Sequence, residues 1–224
     1  MRTLIVSANP EADSLTNYAV ERLKAELPAG SYEVLDLHTE NFEADFTLSD
    51  RVAYQTAGNY PPDLRPEHER LERATELVLV FPVYWWSVPA KMKGWFDRVL
   101  VNGWAFEWEA GVGSVPKMQW LTTHMLPITA TKERVWHKHG YDNALRTIME
   151  HGLVEYCGMQ RGVTAFVYES EDPESVGARV DQAVSAIVES ILSRSGAQNV
   201  QGLATARVNG DDHSVADELS ASAT

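Results

Sequence analysis

Two stretches of this sequence bring together side chains that can do more than pack. The first is Asn9-Pro10-Glu11-Ala12-Asp13-Ser14-Leu15-Thr16-Asn17. Its hydroxyls and amides precede apolar residues at the four-residue spacing Ala19, Leu23 and Leu27, so they fall at a helix N-terminus. Free backbone N–H groups beside such hydroxyls form an anion site that needs no lysine, although Ser14 or Asp13 serves equally well as a plain cap. The second stretch is Phe81-Pro82-Val83-Tyr84-Trp85-Trp86-Ser87-Val88-Pro89. Three adjacent aromatics between prolines follow neither the helical nor the strand period. They read as a rigid aromatic loop wall suited to a planar ligand. His124 is expected in a neighbouring cleft loop, where an imidazole can exchange protons near neutral pH.

Other chemistries lack their residues. No G-x-G-x-x-G follows a strand, and no P-loop or G-x-S-x-G elbow is present. His137 and His139 stand only two apart in a loop, and no metal site is assigned. Cys157, the one cysteine, has apolar neighbours and reads as a buried, inert thiol. With 32 acidic against 19 basic side chains, the net charge of −13 disfavours nucleic acid and anionic membrane surfaces. The opening Leu4-Ile5-Val6 run is too short for a signal segment, and no apolar run could span a bilayer. A cytoplasmic protein is expected.

The elements that must position these residues alternate. Strands are expected at Thr3–Ala8, Tyr32–Leu37, Leu77–Phe81, Met118–Thr122 and Val163–Val167. Helices are expected after Ser14, near Ser49–Ala57, from Pro66, from Ala90 to Asn102-Gly103, from Asp142 to Gly158, and from Asp172-Pro173-Glu174 through Ile191. The segment between Thr122 and Gly140 reads as loop. Residues 1–194 then form one domain, and 195–224, rich in Gly, Ala, Ser, Asn and Asp without periodicity, a disordered tail. Five alternating strands specify a doubly wound α/β parallel sheet, with the flavodoxin-like order 2-1-3-4-5 as the simplest solution. Its ligands bind beyond the carboxyl ends of the strands, which gathers the loops after Ala8, Phe81 and Leu121 around one cleft.

Residues 81–99, F-P-V-Y-W-W-S-V-P-A-K-M-K-G-W-F-D-R-V, resemble the signature of the NAD(P)H:quinone oxidoreductase family of flavodoxin-like flavoproteins. Asn102-Gly103-Trp104-Ala105-Phe106 is similar to its extension in the ancillary oxidoreductases of potassium efflux systems. Weaker similarity covers Ser7–Tyr18, Ala44–Asp50, Thr122-Thr123 and His139–Gly158. The resemblance implies flavin phosphate and ribityl contacts at Ser14, Leu15, Thr16 and Asn17, with Asn9 where many members have His. It implies isoalloxazine contacts at Pro82, Val83, Tyr84 and Trp85, and a third flavin loop at Thr122 and Thr123. There the sequence reads Thr122-Thr123-His124-Met125 where many members have Thr-Thr-Gly-Gly. His139 resembles a catalytic histidine, and a solvated or capping histidine is its other reading. The family's catalytic tyrosine has no counterpart among Glu133, Arg134 and Trp136.

The implied activity is two-electron reduction of quinones or similar planar acceptors by a ping-pong mechanism. FMN, or FAD, is the implied cofactor, and NAD(P)H the cosubstrate. A homodimer is implied, with Phe106 and Trp108 bordering the partner's site. The altered Thr-Thr-His loop motivates an alternative: a flavin-binding regulatory subunit or electron carrier without NAD(P)H turnover of its own.

Overall fold

The computed structural model describes residues 2–58 and 60–210. Contacts divide the chain into Met1–Val188 and Glu189–Thr224. The chain order is β1 (Thr3–Ser7), α1 (Leu15–Glu26), β2 (Tyr32–Asp36), α2 (Leu48–Gln55), α3 (Arg65–Arg73), β3 (Glu76–Pro82), α4 (Ala90–Val99), β4 (Phe106–Glu109), β5 (Gly113–Pro116), β6 (Thr122–Ile128), α5 (Glu133–His139), α6 (Tyr141–Arg146), β7 (Gln160–Thr164) and α7 (Val176–Gly210). A 3-10 turn at Pro62–Leu64 leads into α3, and α6 continues as a π-helical stretch, Thr147–Glu155.

β1 is buried along its whole length and β3 along all but its last residue, as apolar runs with no polar face require of strands covered on both sides. The five main strands run parallel in the order β2-β1-β3-β6-β7, the expected doubly wound arrangement. Register aligns Thr3, Glu76 and Thr122 at the amino edge, and Pro82 with Ile128 at the carboxyl edge.

Five expectations need correction. The fourth core strand is Thr122–Ile128, not Met118–Thr122. Its polar start, Thr122-Thr123-His124, disguises a strand buried at every residue, and Pro127, which has no N–H to give, stays joined to the segment after β7 through its carbonyl, which accepts the Val167 N–H at 2.9 Å. The loop expected up to Gly140 therefore holds most of β6 and all of α5. β4 and β5 form an antiparallel hairpin in what reads as loop. Its signal was the alternation Phe106-Glu107-Trp108-Glu109, followed by Gly111 at φ +81°. The fifth core strand starts at Gln160, three residues before the expected Val163. α7 continues to Gly210, so the expected tail begins as helix, and residues 211–224 lie outside the described residues.

The long excursion between β2 and α3 is strapped across α4. Arg98, 4% exposed, reaches from α4 to Asp50 (3.0 Å), Asp63 (2.8 Å) and the Glu43 carbonyl (2.7 Å), and lies over the Phe42 ring. Burial pushes the Asp50 carboxyl up, but hydrogen bonds from Thr47 and Arg98 outweigh it and hold the group below its ordinary range. Gly94 lets the strap approach, because a Cβ there would stand 2.1 Å from the Ala44 carbonyl oxygen.

Candidate functional site

The carboxyl ends of β1, β3 and β6 bound the cleft. After β1, Ser14 caps α1 and its Oγ accepts from the Asn17 N–H at 3.3 Å. The Asn9 side chain accepts from the Glu11 N–H (3.0 Å) and donates to Thr16 Oγ1 (3.1 Å). Asn17 Nδ2 donates back to the Ala12 carbonyl at 2.8 Å. The partly exposed Ser14 hydroxyl thus spends a lone pair inside the loop and keeps its proton for an outside acceptor, whereas Thr16 is buried. The N–H groups of Leu15 and Thr16, in the first turn, have no intrahelical acceptor. Cap and anion site are one structure here, since the cap organises the donors.

After β3 the chain makes a strained turn. Val83 N–H donates to the Ile128 carbonyl at 2.8 Å, fastening the loop to the end of β6. Tyr84 and Ser87 exchange both backbone hydrogen bonds at 3.0 Å, closing a two-residue turn around Trp85 (φ +50°) and Trp86 (φ +64°). Left-handed backbone at both central positions normally selects Asn or Gly. Two tryptophans there hold of order 1 kcal/mol of strain each, which only a constraint elsewhere maintains. The turn's own bonds use the N–H groups of Tyr84 and Ser87 and leave those of Trp85 and Trp86 free. Trp85 is 94% exposed, whereas Trp86 stacks on Tyr141 with centroids 4.0 Å apart and meets Trp136 edge-on at 5.7 Å.

That stack brings His139 to the site. The last residue of α5, His139 is exposed and lies against the other neighbour of Trp86, with its ring 5.5 Å from that of Tyr141. Gly140 follows at φ +69°, breaking α5 from α6. His137, two residues earlier, is held between Asp142 (2.9 Å) and Glu133 (3.3 Å), which raise its pKa above the ordinary imidazole value.

Three expected site residues lie elsewhere. Thr122 and Thr123 are buried at the amino end of β6, the wrong end of the sheet for the cleft, and Thr123 Oγ1 donates to Met159 Sδ. His124 is not in a loop: it is 0% exposed in β6, where its Nδ1 accepts the Val163 N–H at 3.0 Å. The ring proton is therefore on Nε2, 3.0 Å from Glu76 Oε2. A Cβ at Gly162 would come within 2.6 Å of this ring, so the glycine makes its room. The loop that does leave β6 toward the cleft is Thr129-Ala130-Thr131-Lys132, where Thr129 Oγ1 accepts the Thr131 N–H. Sequence reasoning missed it; the signal was the run Met125-Leu126-Pro127-Ile128, which continues the strand past the threonines.

Cys157 is 3% exposed, and burial pushes its thiol up to about 12, in line with an inert role. Among the described residues, no group of three or more His, Cys, Asp or Glu could hold a metal ion, and no helix is long and apolar enough to cross a membrane.

The residues present fit a phosphate-bearing planar group: free donors at the α1 terminus, two free N–H groups in the β3 turn, and an exposed indole beside them. A family model described as a flavodoxin-like fold matches residues 1–213. NAD(P)H dehydrogenase (quinone) 1 of Rattus norvegicus is 31% identical over 183 residues, covering 71% of this chain and 65% of the relative. The chain thus spans slightly less than two thirds of that relative's length. Ribosyldihydronicotinamide dehydrogenase (quinone) of Pongo abelii is 28% identical over 186 residues, covering 71% of this chain and 78% of the relative. The solved NAD(P)H:quinone oxidoreductase from Methanothermobacter marburgensis superposes with a TM-score of 0.76 at 26% identity, over 83% of this chain and 96% of that one.

Proposed function

This chain belongs to the flavodoxin-like fold family, and from that membership we propose that it is an NAD(P)H-dependent flavin oxidoreductase that reduces quinones or similar planar acceptors two electrons at a time. The observation that carries the reading is the Trp85-Trp86 turn: strained, preorganised, and presenting free N–H groups beside a bare indole. Donors fixed before a ligand arrives require no reorganisation when charge develops near them.

FMN is the proposed cofactor, with FAD the alternative. Ser14, Leu15, Thr16 and Asn17 would hold its phosphate and ribityl chain, with Asn9 ordering that loop. Pro82, Val83, Tyr84 and Trp85 would seat the ring, and Thr129–Lys132 takes the place first given to Thr122 and Thr123. A flavin held there would supply hydride transfer between nicotinamide and a planar acceptor. His139, held by Tyr141 beside Trp86, is the proposed charge-stabilising group; His124, sealed under β7, is withdrawn from that role. The alternative of a binding module without turnover loses its motive, because the Thr-Thr-His segment is strand.

We also propose a homodimer, closed over the groove of about 680 Å³ beside α4. Phe46, Tyr54, Phe96, Leu100, Ile148 and Tyr156 line it, and Leu48, Trp108 and Val112 are exposed on the same molecule. Sedimentation of the wild type against Ile148→Asp tests it, with a monomeric wild type as the failure. The activity is tested by absorption spectra of the purified protein before and after NADPH, with chromatographic identification of any released flavin. Bleaching of bound flavin and quinone-dependent NADPH oxidation are expected; a chain that neither carries nor takes up flavin refutes the assignment.

A further inference from the structure

A second cavity, about 420 Å³, lies between α3, the Tyr60-Pro61-Pro62 segment and Trp104, and shares no residue with the flavin cleft. Its walls are aromatic. Trp104 stacks on His68 with centroids 4.1 Å apart, and Tyr60 meets His68 edge-on at 5.2 Å. Arg65, Glu69 and Glu72 complete the lining.

Its charge is negative and its unpaired buried polar group is an acceptor. His68 is only 6% exposed, and its Nε2 lies 3.0 Å from the Val99 carbonyl oxygen. A carbonyl only accepts, so the ring proton is on Nε2 and Nδ1 is a bare lone pair. The imidazole is neutral, since burial lowers its pKa below the ordinary value. Among the described residues Nδ1 has no hydrogen-bond partner. Of the donors, the Trp104 indole N–H is spent on Glu72 Oε1 at 3.0 Å, and Arg65 is paired through Nε with Glu69 Oε1 at 2.8 Å, the rest of its guanidinium facing solvent. Beside that exposed guanidinium, a ligand meets a lone pair, carboxylate oxygens and aromatic faces. Two carboxylates against one guanidinium leave the lining with a net charge of −1.

We propose that this cavity is a binding site for a small protonated organic amine. The ammonium would sit against the indole and phenol rings by cation–π attraction, donate one N–H to His68 Nδ1, and neutralise the carboxylate excess. An anion would face two carboxylates and a lone pair, against one guanidinium that is already salt-bridged to Glu69 and largely exposed. A neutral apolar molecule would cover the imidazole lone pair without giving it a donor.

The test uses full-length protein, independent of flavin content. Indole N–H resonances are followed by two-dimensional NMR during titration with n-butylammonium chloride, with the Trp104 signal assigned by its loss in Trp104→Phe. Sodium chloride at equal ionic strength, 1-butanol and sodium butyrate are the controls. A saturable shift of the Trp104 resonance with butylammonium alone is expected. Glu69→Gln, which removes a charge paired only with an exposed arginine, should weaken binding about threefold to tenfold, the scale of one such contact. The proposal is overturned by an unsaturable shift, by equal response to any control, or by unchanged affinity in Glu69→Gln.

Discussion

Replacing Trp85 by glycine should move stability and flavin affinity in opposite directions. At φ +50° an L-residue holds about 1–2 kcal/mol of strain that glycine lacks. Glycine returns about 0.5–1 kcal/mol through the entropy of the unfolded chain. With 94% of the residue exposed, almost no packing is lost. The ligand-free protein should therefore gain about 0.5–1 kcal/mol, which for a domain of this size raises Tm by about 1–4 °C. Loss of the indole should weaken flavin binding about two- to tenfold, the worth of one aromatic contact. Trp85→Ala separates the two effects: it also removes the ring but keeps the Cβ, so it should lose affinity without the gain in Tm. Thermal melts of stripped protein and flavin titrations by fluorescence measure both. A Tm that falls in Trp85→Gly, or flavin affinity unchanged in both variants, would refute the reasoning.

Gly162→Ala pushes a Cβ to 2.6 Å from the His124 ring, so about 1–3 kcal/mol of stability should be lost while flavin binding by the folded fraction persists. A wild-type Tm in that variant would show that the ring moves freely. His137 has its pKa raised by Asp142 and then Glu133, so its contribution is full below the unfolded imidazole value near ~6.5 and fades as pH rises through the folded value. The Tm deficit of His137→Gln should accordingly be largest in mild acid and vanish in alkali; a pH-independent deficit contradicts the pairing. With its thiol pushed up to about 12, Cys157 should resist alkylation at pH ~8 until the protein is unfolded, which mass spectrometry after iodoacetamide would show.

The sheet was legible where burial demands apolar residues on both faces, as in β1 and β3. β6 was not, because its amino end spends three buried positions on Thr122, Thr123 and His124, whose partners are distant in sequence: Met159 and, for the histidine, Glu76 and Val163. The same threonines drew the third cofactor loop seven residues too early. α5 was hidden by a start at Lys132 that makes no side-chain cap and by a largely polar sequence carrying one buried residue, Trp136. The aromatic wall could be read from its composition and flanking prolines. Its strain could not, since backbone handedness at Trp85 and Trp86 is set by the Tyr84–Ser87 closure and the Trp86–Tyr141 stack.

The strap across α4 has a consequence for how the molecule comes apart. A surface excursion joining β2 to α3 would ordinarily open alone and admit proteases first. Here Arg98 ties its early, middle and late parts, at Glu43, Asp50 and Asp63, to one helix of the core. Releasing any of the three leaves a buried guanidinium short of a partner, so partial opening carries nearly the whole penalty. The excursion should therefore exchange its protected amides at the rate of global unfolding, and limited proteolysis should spare it until the sheet itself gives way.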